Sequence, residues 1–180
     1  MRFRRVLPAV VLFALVMAHA PAPAATPSIT GGKPIQLSLF NPVQLVPEKE
    51  SISGLRLNLL YGVNRDVQGL DYGLVNHTRG NELAWQLGGI GYVEKDFFGW
   101  QDNWINITNG EFTGFQSGVF NQATTANGVE FGLVNVTQSM HGLQIGLLNM
   151  TQTMHGLQIG VGNIIQKGKM PFLPIVNWSL

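Results

Sequence analysis

The sequence contains no cysteine. Disulfide scaffolds, thiol nucleophiles, cysteine-bound zinc and a lipid anchor on a cysteine are therefore excluded. Charge is scarce as well. Only 12% of the residues are Asp, Glu, Lys or Arg, about half the share of an ordinary soluble domain. A net charge of +1 gives no electrostatic footprint for nucleic acid. Proline is missing between Pro47 and Pro171, so nothing in that stretch forbids a continuous β ladder. There is no G-x-S-x-G elbow and no Walker loop, so neither hydrolase nor nucleotide chemistry has a signature. Nothing calls for a cofactor.

What is present is glycine, 22 residues of it, and a 45% hydrophobic share. Both need a location. The N-terminus takes part of the apolar share. Arg2, Arg4 and Arg5 precede an apolar run from Val6 to Met17, and Ala18-His19-Ala20 and Ala22-Pro23-Ala24 follow. A basic start, a short apolar stretch and small residues predict a signal peptide over residues 1–25 and an exported protein. Its removal takes three of the 11 basic residues, leaving 8 against 10 acidic ones, a net of −2.

The rest is a repeat. Gly142–Asn149 reads GLQIGLLN and Gly156–Asn163 reads GLQIGVGN. The same unit is found backwards at Gly128, Gly114, Gly99, Ala84 (degenerate), Gly69, Gly54 (degenerate) and Pro34, and forwards at Met170. Within a unit Leu143, Ile145 and Leu147 alternate with Gly142, Gln144 and Gly146. A period of two specifies strand, and paired glycines would penalise a helix.

The expected fold is all-β: a parallel β-solenoid of about ten coils of 14–15 residues. The alternative is a ten-stranded antiparallel outer-membrane β-barrel, for which an even strand number is suitable. Three features favour the solenoid. Successive units carry one motif in one direction, as translation along an axis requires. An asparagine recurs at Asn76, Asn106, Asn121, Asn135, Asn149, Asn163 and Asn177, suited to a hydrogen-bonded ladder at a corner. Prolines gather in the first and last units, where an open array needs caps. The predicted layout is the leader, an N-terminal cap with the first repeat over 26–53, a repeat array over 54–169 and a capping repeat over 170–180.

Units of this form, G-L-Q-I-G-L-L-N, behind a leader and Ile35–Gln44, resemble a family of exported bacterial surface-repeat proteins with G-L-Q-x-G-h-h-N units. The resemblance covers the mature chain. It implies an extracytoplasmic repeat architecture and carries over no catalytic residues.

Candidate sites follow from the register. His141 and His155 fall one period apart beside Met140 and Met154, a set that could serve copper(I) if all four converged. The competing reading makes them duplicated turn residues. The third position of each unit, from Arg56 and Asp71 through Gln86, Gln101, Gln116, Glu130, Gln144 and Gln158, reads as a solvated polar face or a flat partner surface. Trp100 and Trp104 occupy apolar positions and are expected in the core. Phe97 and Phe98, in a turn beside Glu94, Lys95 and Asp96, are the candidates for an exposed partner contact. Phe131 to Gln166 holds no Asp, Glu, Lys or Arg, which calls for something to cover it. The expected role is a non-enzymatic structural or interaction surface at the cell envelope. Its partner would be a protein or an envelope polymer, with membrane contact the other option. The competing functions are a barrel pore or anchor and, third, an envelope metal-binding protein.

Overall fold

The computed structural model describes residues 29–179. The leader expected at 1–25 lies outside them. The elements are β1 (Lys33–Phe40), β2 (Val43–Gln44), β3 (Ile52–Asn64), β4 (Val67–Thr78), β5 (Glu82–Val93), β6 (Phe97–Ile165) and β7 (Phe172–Ser179). From β1 to β6 each pairs parallel with the next turn of the chain, apart from the small β2. β6 runs 69 residues without a break because it winds through about five turns of the solenoid. The chain is a largely parallel β-solenoid, and the antiparallel barrel is excluded by the pairing.

Register follows the motif. Gly54 aligns with Gly69, Gly69 with Ala84 and Ala84 with Gly99. Stacking continues through Gly114, Gly128, Gly142 and Gly156. These glycines are structural. Gly142 has φ +133°, and a Cβ there would overlap the carbonyl oxygen of Gly128 in the turn below.

Both ends are capped by antiparallel pairing. β2 folds back on β1. The last unit, expected as a tenth coil, instead reverses: β7 pairs antiparallel with the end of β6, Gln158 opposite Asn177. The proline-bearing ends thus close a ladder whose free edges would otherwise template further strands.

The interior overturns the expected polarity. The third-position ladder is no solvated face. Gln36, Arg56, Asp71, Gln86, Gln101, Gln116, Glu130, Gln144 and Gln158 are all fully buried. So are the asparagines Asn76 to Asn163. Side-chain amides meet much of this interior's hydrogen-bonding demand by bonding from turn to turn. Asn106 donates through Nδ2 to Asn121 Oδ1, Asn121 to Asn135, Asn135 to Asn149 and Asn149 to Asn163, each at 2.8 Å. The glutamines donate in the opposite direction: Gln101 to Gln86 at 2.9 Å, Gln116 to Gln101 at 2.6 Å, Gln158 to Gln144 at 2.7 Å. Two ladders of opposed dipoles run along one rod.

The degenerate units compensate by substitution, and the one from Gly54 also shifts register by a bulge between Asn58 and Tyr61. Gly62 and Gly91 stand at the ladder asparagine's place, aligned with Asn76 and Asn106. The vacated space at Gly62 holds the Asn58 side chain, and that at Gly91 holds Gln86 and Asn103. Asn58 donates to Asn76 Oδ1 at 2.8 Å, and Asn103 to Asn106 Oδ1 at 2.7 Å. A smaller apolar core lies beside the ladders: Phe97, Phe112, Ala126, Met140 and Met154, with Val93, Ala123 and Ile165.

Candidate functional site

With the amides inside, the alternating apolar residues must point outward, because a one-residue change in strand register exchanges the two faces. In the turn from Gly114, the buried residues are Gln116, Asn121, Ala123 and Ala126. Phe115, Ser117, Val119, Phe120 and Gln122 are not buried. Val119 and Phe120 are consecutive and both outward, which marks a corner. Stacking turns the corner into a ridge: Leu59, Leu74, Trp104, Leu133, Leu147 and Val161. Exposure along it is high, 71% at Trp104, 56% at Leu147 and 70% at Val161. One adjoining side carries Leu55, Leu70, Trp85, Trp100, Phe115 and Leu143; the other carries Val75, Ile90, Ile105, Phe120, Val134 and Leu148.

Trp100 and Trp104 are therefore outer-surface residues and not core. Trp85 stacks on Trp100, centroids 5.7 Å apart, and Trp100 meets Phe115 edge-on at 5.3 Å. Phe97 is the reverse case. It is completely buried and stacked on Phe112 at 5.7 Å, so it offers no partner contact; Phe98 is half-buried. Near the N-terminal end the ridge widens into an open apolar groove of about 1060 Å³. The hairpin residues Val43 and Leu45 form one bank, Leu59, Tyr72, Leu74 and Trp104 the other.

Apart from Asp102, which faces outward between Trp100 and Trp104, and lysines at the two ends, exposed charge is segregated from this surface. Glu48 to Glu50, Arg65, Asp66, Arg79, Glu94, Lys95, Asp96 and Glu111 follow one another along a second corner. Asp66 Oδ1 accepts from the backbone N–H of Asn81, and Asp96 Oδ1 from that of Glu111, so the acidic residues brace consecutive turns. Arg79 bridges to Glu48 at 3.1 Å. Beyond Glu111 the same corner continues with neutral Gln138, Ser139, Gln152 and Thr153.

The histidines divide. His141 and His155 stack at 5.8 Å with a 27° tilt. Burial, then the neighbouring His155, holds His141 below the usual imidazole range. Met140 and Met154 are buried in the core while His155 is exposed and His141 half-buried, so the four do not converge on one ion. His77, which the sequence leaves alone, is tied in. It bonds Tyr61 Oη through Nδ1 at 2.9 Å and Glu94 through Nε2 at 2.8 Å, and lies 4.9 Å from the Tyr92 ring. No group of three or more His, Asp or Glu side chains gathers for a metal among the described residues.

Among the described residues, four ionisable side chains are buried in the interior; three cluster and Glu130 stands apart. Arg56 grips Asp71 in a two-pronged contact, Nε–Oδ1 2.7 Å and Nη2–Oδ2 2.6 Å, with Glu82 at 3.8 Å. Burial alone would lower the Arg56 pKa, yet the Asp71 charge and hydrogen bonds raise it above its ordinary value. Burial, reinforced by Asp71, lifts Glu82 well above the carboxylate range. All three are fully buried and reach no solvent, so they form a structural knot with no access for substrate. The chain matches no protein-family model, no curated protein and no solved structure.

Proposed function

We propose that this is an exported, non-enzymatic solenoid that serves as a structural or interaction surface at the bacterial cell envelope. One observation carries the reading: a ridge and its two sides present apolar side chains outward along the rod, while two polar ladders and a smaller apolar core lie inside. A soluble rod would reverse that arrangement, since contiguous exposed apolar surface beyond a few hundred Å² marks an interaction site. Most buried polar side chains are engaged in hydrogen bonds between turns and closed off from solvent. The N-terminal basic and apolar pattern supports export.

Fractionation tests the assignment. The full chain expressed in a bacterial host is expected in the envelope fraction, shortened by about 25 residues at its N-terminus, the length of the leader pattern. Unshortened chain recovered in the cytosol would overturn it.

A further inference from the structure

We propose that the ridge and its two adjoining sides dock into the hydrocarbon layer of a lipid bilayer, with the rod lying along the membrane surface. The proposal rests on the envelope reading above and specifies its partner. Three observations select lipid.

First, the apolar surface turns a corner. The ridge of Leu59, Leu74, Trp104, Leu133, Leu147 and Val161 stands between two apolar sides. A flat partner, or a second copy of the chain packed face to face, covers one side and leaves the other wet. A fluid apolar layer covers both.

Second, the exposed charges, Asp102 beside the ridge and the lysines at the two ends apart, keep to a different line. Glu50, Arg65, Arg79, Glu94, Lys95 and Asp96 run along the axis at the far end of one apolar side. A charged line parallel to the axis cannot be placed in water if the rod stands upright across a bilayer. It can if the rod lies down, as amphipathic elements at interfaces do. The uncharged stretch from Phe131 to Gln166 then needs no protein cover.

Third, the backbone is suited to hydrocarbon. Parallel pairing between turns satisfies N–H and C=O groups within the rod, and β2 and β7 pair its two ends. Lipid tolerates no unpaired backbone, and this lateral surface presents a laddered one.

Flotation tests this. The chain lacking residues 1–25 is mixed with vesicles of phosphatidylethanolamine and phosphatidylglycerol and floated through a density gradient. The wild type is expected to rise with the vesicles, and brominated acyl chains are expected to quench its tryptophan fluorescence, Trp104 being on the ridge. The triple variant Leu133→Lys, Leu147→Lys, Val161→Lys is expected to lose at least about tenfold in the bound fraction. The pair Gln138→Lys, Gln152→Lys on the polar corner is expected to float like wild type. Circular dichroism checks that both variants fold; if the triple variant does not, quenching of the wild type decides.

Wild type that stays at the bottom overturns the proposal. So does a triple variant that folds and floats equally well. A wild type that forms a stable oligomer and ignores vesicles assigns the ridge to a second copy instead. Envelope fractionation in cells is independent of all three outcomes. A chain found in the envelope that fails to float sinks only the lipid assignment.

Discussion

Replacing Arg56 by methionine is expected to cost about 3–5 kcal/mol of stability. The guanidinium sits wholly inside the solenoid. It donates to both oxygens of Asp71, to Thr78 Oγ1 at 3.0 Å and to the His77 carbonyl at 2.9 Å. Methionine fills much the same space and supplies none of these donors. Asp71 and Glu82 are then left as two buried carboxyl groups with no cation. The double change Arg56→Gln, Asp71→Gln is expected to recover most of the loss. It installs at both positions the residue that Gln86, Gln101 and Gln116 already show to be compatible with this ladder. Urea denaturation of the three proteins measures this. A double variant no more stable than Arg56→Met would mean that the ladder does not govern this position.

Glu130→Gln is expected to stabilise the protein above neutral pH and to leave it unchanged in acid. Burial raises the Glu130 carboxyl to about 7 despite hydrogen bonds from Thr137 and Gln144 that favour its charge. The folded state thus holds its proton more tightly than the unfolded chain. Below the unfolded value of 4.5 both states are protonated and nothing is lost. Between 4.5 and about 7 stability falls as the unfolded chain ionises first. Above that the loss is constant, about 3 kcal/mol. Glutamine cannot ionise. Its amide also provides a donor for Gln116 Oε1, which has no partner in the ladder. Urea midpoints of both proteins from pH 4 to pH 9 should start together and separate as pH rises. Parallel curves would show that Glu130 is solvated in the folded protein.

The repeat made the turn length, the strand assignment and the parallel stacking legible in the sequence. The recurring asparagine and the confinement of proline to the ends pointed the same way; the asparagine side chains bond one to the next only from Asn106 to Asn163, since Gly91 separates Asn76 from Asn106 and Asn177 donates to the main-chain oxygens of Asn163 and Met170. Polarity was not legible. Alternation says which residues share a face and is silent on which face is inside. The usual assumption, leucine inward and glutamine outward, put Trp100 and Trp104 in the core and the glutamines in water. Both are reversed here. A signal was present in the glutamine position itself. Arg56 and Asp71 interrupt it as an adjacent pair of opposite charge and Glu130 interrupts it alone, each beside a partner able to hydrogen-bond it, which is the pattern of a buried network more than of a solvated face. Phe97 was misplaced for a related reason: it looked like a turn residue because the charged corner immediately precedes it, whereas it already begins the next buried strand. The compensation of Gly62 by Asn58 and of Gly91 by Gln86 and Asn103 depends on contacts between turns, which no single unit reveals.

The stacking of successive turns is most directly tested with spin labels, which the absence of native cysteine makes specific. His141→Cys and His155→Cys, both labelled with a nitroxide, would occupy sites whose rings lie 5.8 Å apart in adjacent turns. Strong spin exchange is the predicted result, with the electron paramagnetic resonance lines collapsed relative to either single label. Lines equal to the sum of the two single labels would contradict a parallel solenoid, because antiparallel strands place equivalent residues of consecutive units at opposite ends, roughly 20 Å apart.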